Sequence, residues 1–195
     1  VREDSRVLKV AWSLSNSGWD VLVVGASANN YDDIFEIGKA TIRRVGLKPV
    51  IKNNKLKKVG RRIRWLKNKA KSFLLIPPKV KSTSMSGIPN LARAVKVLRP
   101  LALDFKPDVI HAHDYTALPI AAKLVAELKA IGFDSKLIYD AHEYVPGVAH
   151  LNRQLADAYA NIERKAVKTS SAILSVSEGM SDLLIPHLQI GRAHV

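Results

Sequence analysis

An α/β fold built on a parallel sheet follows from three features of the sequence. Helical and strand-like stretches alternate along the chain. The strand-like stretches are apolar on both faces, as strands covered by helices on each side must be. Two of those stretches also end in clusters of ionisable residues, where the carboxyl ends of such a sheet present their ligand sites.

The elements follow in order. "SRVLKVAWSLSNSG" places Val7, Leu8, Ala11, Trp12 and Leu14 on one helical face, and Gly18 ends it. "WDVLVVGA" is a short, almost wholly apolar strand. After a long basic region, "IPNLARAVKVLRPLALDF" reads as helix and "KPDVIHAHD" as strand. "TALPIAAKLVAELKAIG" is a helix closed by Gly132, and "KLIYDAHEY" is the next strand. "LNRQLADAYANIERKAVKTS" is a long helix, "AILSVS" a strand, and "EGMSDLLI" opens another helix. Right-handed crossovers would wind these elements into a Rossmann-like layer structure. The chain opens on a helix, so a first strand is expected to be missing, with "REDS" as the tail of the loop behind it.

The 195 residues suit one substantial domain. No run reaches the roughly 18 apolar residues that span a bilayer. Cysteine is absent, which removes disulfides and thiolate metal sites from consideration and fits a reducing, cytoplasmic setting. The start carries neither an initiator Met nor a signal peptide. The last six residues, "IGRAHV", read as translated adapter sequence, so we expect the domain to occupy residues 1–189 and residues 190–195 to be a tail. A fragment open at both ends is the resulting expectation.

Charge is segregated. Between Ile37 and Leu103 stand 19 of the 31 Lys and Arg and none of the 17 Asp and Glu. Within a basic insert at about 52–82, Leu56, Val59, Ile63, Leu66, Ala70 and Phe73 recur at steps of three and four, as on one helical face. Lys57, Lys58, Arg61, Arg62, Lys67 and Lys71 fall opposite, with Trp65 at a border. Such a helix suits an anionic membrane surface, with Arg61, Arg62, Arg64, Trp65 and Lys67 as docking residues. The plainer alternative is a helix packed on the domain with its lysines in water. A lone basic helix without a recognisable module is poor support for nucleic acid, and none is expected.

The strand ends carry the chemistry. The first offers His111, His113 and Asp114; the second Asp140, His142 and Glu143; the third Ser175, Ser177 and Glu178. Period-two alternation puts His111 and His113 on one face of their strand, and Asp140 and His142 on one face of theirs. Neighbouring strands would bring His113 and His142 to one crevice. His111 lies deeper and reads as a hydrogen-bonded core histidine. Asp114 and Ser177 each suit a helix cap as well as a substrate contact. Glu163 and Arg164 read as a surface or helix-end pair. Zinc or manganese would accept these imidazoles and carboxylates, but the spacing matches no compact metal motif, and no metal is expected. A G-x-S-x-G elbow is absent, which argues against a serine hydrolase.

"DSRVLKVAWSLSNSGWDVLVVG", "KPDVIHAHDYTALPIAAKLV", "KLIYDAHEY" and "IERKAVKTSSAILSVSEGMSDLL" resemble, in this order, the N-terminal domain of GT-B glycosyltransferases of family 4. The resemblance implies two facing Rossmann-like domains, the first recognising the acceptor and the second holding a nucleotide-sugar donor. It implies transfer with retention of anomeric configuration, without a cofactor and usually without a metal. His142 falls on the family's strand-end histidine facing the donor sugar, and His113 with Asp114 on the other pair lining the cleft. Glu143 and Ser177 match motif positions, and Asp140 stands beside them as a further substrate contact. The family's first-loop glycines and the donor domain would lie outside this chain, so the fragment alone is expected to be inactive. Many relatives act at the inner membrane face on lipid-linked or cell-envelope acceptors, which the basic insert would suit. A GT-B sugar-nucleotide epimerase and a non-catalytic membrane- or nucleic-acid-binding module are the competing readings.

Overall fold

A computed structural model describes residues 5–27, 32–46, 70–76 and 89–191. In chain order the elements are α1 (Ser5–Asn16), β1 (Asp20–Ser27), β2 (Asp33–Ile37), β3 (Ala40–Gly46) and β4 (Lys71–Ile76). There follow α2 (Pro89–Phe105), β5 (Val109–His113), α3 (Leu118–Ala130), β6 (Lys136–Ala141), α4 (Arg153–Ala166), β7 (Ala172–Ser175) and α5 (Glu178–Leu188). The strands form one sheet in the order β2-β3-β1-β4-β5-β6-β7. Every neighbouring pair is parallel except β2 with β3. The α/β, Rossmann-like class read from the sequence is the class observed.

Helices cover both faces of this sheet, and the apolar strands show why. Val21 and Val23 of β1 and Leu74 of β4 pack with Val7 and Ala11 of α1 on one face. The alternate residues Val24, Phe73 and Leu75 turn to the other face, where Ala94 and Leu98 of α2 and Leu118 and Leu124 of α3 close over them. Each fully buried Leu or Phe there is worth about 1.5–3 kcal/mol relative to exposure. Gly18, at φ 93, takes the left-handed turn that ends α1 and feeds β1. Trp12 departs from the expected face: it is 55% exposed, while Val7, Ala11 and Ser15, at steps of four, are the buried side of α1.

Three strands were not anticipated. β2 and β3 form a hairpin whose two-residue loop starts at Gly38, at φ 59, as tight hairpin loops favour. β4 lies inside the basic insert, between β1 and β5. It corrects the expected amphipathic helix at its carboxyl end, because Lys71 and Phe73 belong to a central strand and Phe73 is fully buried. Arg61, Arg62, Arg64, Trp65 and Lys67 lie outside the described residues.

Candidate functional site

β5 and β6 run side by side, and their register sets His113 opposite Asp140. β5 is buried on both faces from Ile110 to His113, because β4 and β6 flank it and helices cover it. His111 and His113 point to the same side, two residues apart, and their rings stack at 4.2 Å with 22° between planes. β6 stops at Ala141, earlier than expected, so His142 and Glu143 stand just beyond the strand. His142 turns back toward the sheet, its ring 5.6 Å from that of His113.

Asp140 gathers the three imidazoles. Its Oδ2 lies 3.0 Å from His113 Nδ1, 2.9 Å from His142 Nε2 and 3.8 Å from His111 Nε2. None of those three nitrogens makes a directed hydrogen bond, and neither does His113 Nε2. Burial works to raise the Asp140 carboxyl, but His113 and His142 outweigh it and hold the group below the usual carboxylate range. Burial, followed by the neighbouring His113, lowers His111 to about 4 against the pull of Asp140, so this ring is neutral at pH 7.

His113 and His142 thus meet as expected, though the expected opening onto a hollow needs correction at His113. That residue is 1% exposed, so its ring does not open onto solvent. The expected hydrogen bond of His111 is also missing at Nε2. A hollow of about 520 Å³ does open along the same sheet, between β7 and α5, where Ser175, Glu178, Ser181 and Asp182 line it; none of the histidine cluster does.

Asp114 follows β5 at φ 77, a left-handed conformation that Asp tolerates better than most residues. It does not cap the next helix. Its Oδ1 accepts from the Tyr115 N–H at 2.7 Å, and α3 begins at Leu118 with no side-chain cap. Burial, reinforced by the Glu143 carboxylate, pushes Asp114 up to about 6, against the Tyr115 hydrogen bond and His142. Glu143 is half-buried on the same rim. Ser177 does act as a cap: its Oγ accepts from Met180 N–H at 3.2 Å, at the start of α5.

Glu163 was misplaced by the sequence reading. It is fully buried, receives the Tyr139 hydroxyl at 2.5 Å and meets His187 Nε2 at 2.9 Å. Burial raises its carboxyl above the ordinary value, against those two contacts. Arg164 is not its partner; it bonds Asn161 at the surface. The signal was available, since Leu155, Ala156, Tyr159, Ala160 and Glu163 share one face of α4 at steps of three and four.

A mostly parallel α/β sheet with helices on both faces is of the Rossmann-like class. Within that class the chain belongs to the family described as glycosyl transferase 4-like domain, whose model matches residues 4–195. That match includes residues 190–195, and Ile190 of that stretch packs beside the core and bonds back to Ile185 O at 3.2 Å. No curated protein matches the chain in sequence. Among the described residues, no helix is long and apolar enough to cross a membrane.

Proposed function

We propose that this chain is the acceptor-side domain of a retaining, nucleotide-sugar-dependent glycosyltransferase that acts on a sugar or lipid-linked acceptor. Membership of a glycosyltransferase family supports sugar transfer in general. The observation that carries the reading further is the convergence of His142, Asp140 and His113 at the carboxyl rim of β5 and β6. A glycosyl transition state gathers positive charge on the sugar while the leaving diphosphate gains negative charge. A second, donor-holding domain would stabilise the diphosphate. On this side Asp140 holds the His142 ring, and His142 orients the donor sugar or the acceptor hydroxyl by hydrogen bonding. Asp114 and Glu143, close enough to raise the Asp114 carboxyl, would meet sugar hydroxyls from the same rim. This is catalysis by positioning. His142 is not a nucleophile in this account.

The same reading gives the basic insert a task. Arg61, Arg62, Arg64 and Lys67, with Trp65, would hold the domain against an anionic leaflet where a lipid-linked acceptor resides, each cation contributing about 1 kcal/mol. A peripheral position on the inner membrane face follows.

The test is the gene beyond the codon for Leu188. A second Rossmann-like domain carrying paired glutamates is expected there; a stop codon or an unrelated domain contradicts the proposal. Incubating the full-length enzyme with nucleotide sugar alone separates transfer from epimerisation, because an epimerase turns its donor over without acceptor.

A further inference from the structure

Hydrogen bonding does not account for the imidazoles around Asp140. His111 is 6% exposed and His113 1%, yet His111 Nε2 and both nitrogens of His113 lack a hydrogen-bond partner. Buried polar atoms are nearly always paired, and an exception calls for an ion or an ordered water. Suppose small ring rotations let His113 Nδ1 and His142 Nε2 both donate to Asp140 Oδ2. Two buried nitrogens, His111 Nε2 and His113 Nε2, would still have nothing to bond.

The geometry points to a cation. One ligand atom each from His111, His113 and Asp140 can be chosen so that all lie within 4.8 Å of one another. A tetrahedral zinc-type ion with bonds of about 2.0–2.2 Å keeps its ligand atoms roughly 3.3 Å apart. The contacts of Asp140 Oδ2 with His113 Nδ1 at 3.0 Å and His111 Nε2 at 3.8 Å straddle that separation. Two imidazoles with one carboxylate is a donor set that zinc-class ions accept. We propose that His111, His113 and Asp140 bind one divalent transition-metal ion of the zinc class, clipping the carboxyl ends of β5 and β6 together. His142, 2.9 Å from the same carboxylate, steadies the ligand from outside, as partners of metal-binding groups commonly do. Three protein donors leave a coordination position for water or a ligand oxygen. Sequence spacing argued against a metal here, because the third donor comes from another strand. The inference shares Asp140 and His113 with the sugar-transfer reading, but its readout, metal binding by the isolated chain, does not depend on transfer activity.

Cobalt(II) tests it, since a tetrahedral nitrogen–oxygen site produces intense visible ligand-field bands. The chain, freed of any histidine tag and stripped with chelator, is titrated with Co²⁺ alone, and bound ion is then displaced with Zn²⁺. We expect saturation at one ion per chain, a higher Tm on loading, and loss of the bands when Zn²⁺ is added. His111→Gln and Asp140→Asn, each checked for native circular dichroism, should weaken Co²⁺ binding by more than about tenfold. Absence of bands from the folded wild-type chain overturns the proposal. Bands of unchanged affinity in His111→Gln also overturn it, because the ion would then sit elsewhere. Should one variant fail to fold, the wild-type titration and the other variant still decide.

Discussion

Tyr139 and Glu163 meet in the interior: the phenol of β6 donates to the carboxylate of α4 at 2.5 Å, and His187 of α5 reaches the same carboxylate. This contact ties the strand that carries Asp140 to the two helices that follow it. Tyr144, two residues past His142, packs edge-on against His187 at 5.4 Å and closes the connection back to the rim. The shape of the rim therefore depends on a buried polar network behind it.

Removing the carboxylate should be costly. Glu163→Ala leaves the Tyr139 hydroxyl and the His187 ring without their partner, and we expect a loss of about 3 kcal/mol in urea unfolding. Glu163→Gln keeps an acceptor for Tyr139 and should lose markedly less. Equal losses in the two variants would show that volume, not hydrogen bonding, matters at this position.

The same pair of proteins gives a pH signature. Burial raises the folded pKa of Glu163 above its unfolded value, so the folded state holds the proton more readily. Its contribution to stability is therefore fully present below the unfolded value, about 4.3. It is lost as pH rises through the folded value. Wild type should thus lose stability relative to Glu163→Gln as pH rises from about 4. A wild type that gained on the variant over that range would contradict the assignment. Tyr139 and His187 contact this carboxyl, with the Arg164 charge acting from the surface, and the profile of His187→Gln isolates the His187 contribution.

Phe73 separates sheet from membrane. As a fully buried residue of β4, it should cost about 3–5 kcal/mol when changed to Ala. Its replacement should not act through lipid contact. Replacing Arg61, Arg62, Arg64 and Lys67 with Gln should instead leave stability near wild type and weaken sedimentation with anionic vesicles by roughly a thousandfold, at about 1 kcal/mol per charge. Vesicle binding that survives the four substitutions contradicts the docking role.

Ser177→Ala should cost about 1 kcal/mol through loss of the α5 cap, and Ser177→Gly only a few tenths. Thermal denaturation of the two variants checks the ranking. Glycine as costly as alanine would mean that the hydroxyl serves something other than the cap.

Legibility in the sequence followed the physics of each element. β5 and β6 were readable because their apolar runs end in ionisable clusters, a contrast that a buried parallel strand makes unavoidable. β3 was not, because Arg43 and Arg44 are consecutive and interrupt the alternation that marks a strand. β4 was absorbed into a longer helical periodicity, since six residues carry too little pattern to outweigh the repeat before them. The meeting of His113 with His142 could be inferred from strand adjacency, but the role of Asp140 at the centre could not. Register between strands is a tertiary fact, and it alone set that carboxylate opposite His113. Asp114 was read as a cap because Asp before a helix usually is one; the helix instead starts later, with a proline in its first turn.

Sugar transfer oriented by the imidazole beyond β6 is the claim on which most rests, and turnover of the full-length enzyme after His142→Ala measures it directly. With nucleotide sugar and acceptor both supplied and the fold verified, the rate should fall on the order of a hundredfold, the scale of a lost positioning contact. A variant that transfers sugar as fast as wild type would remove this rim from the reaction.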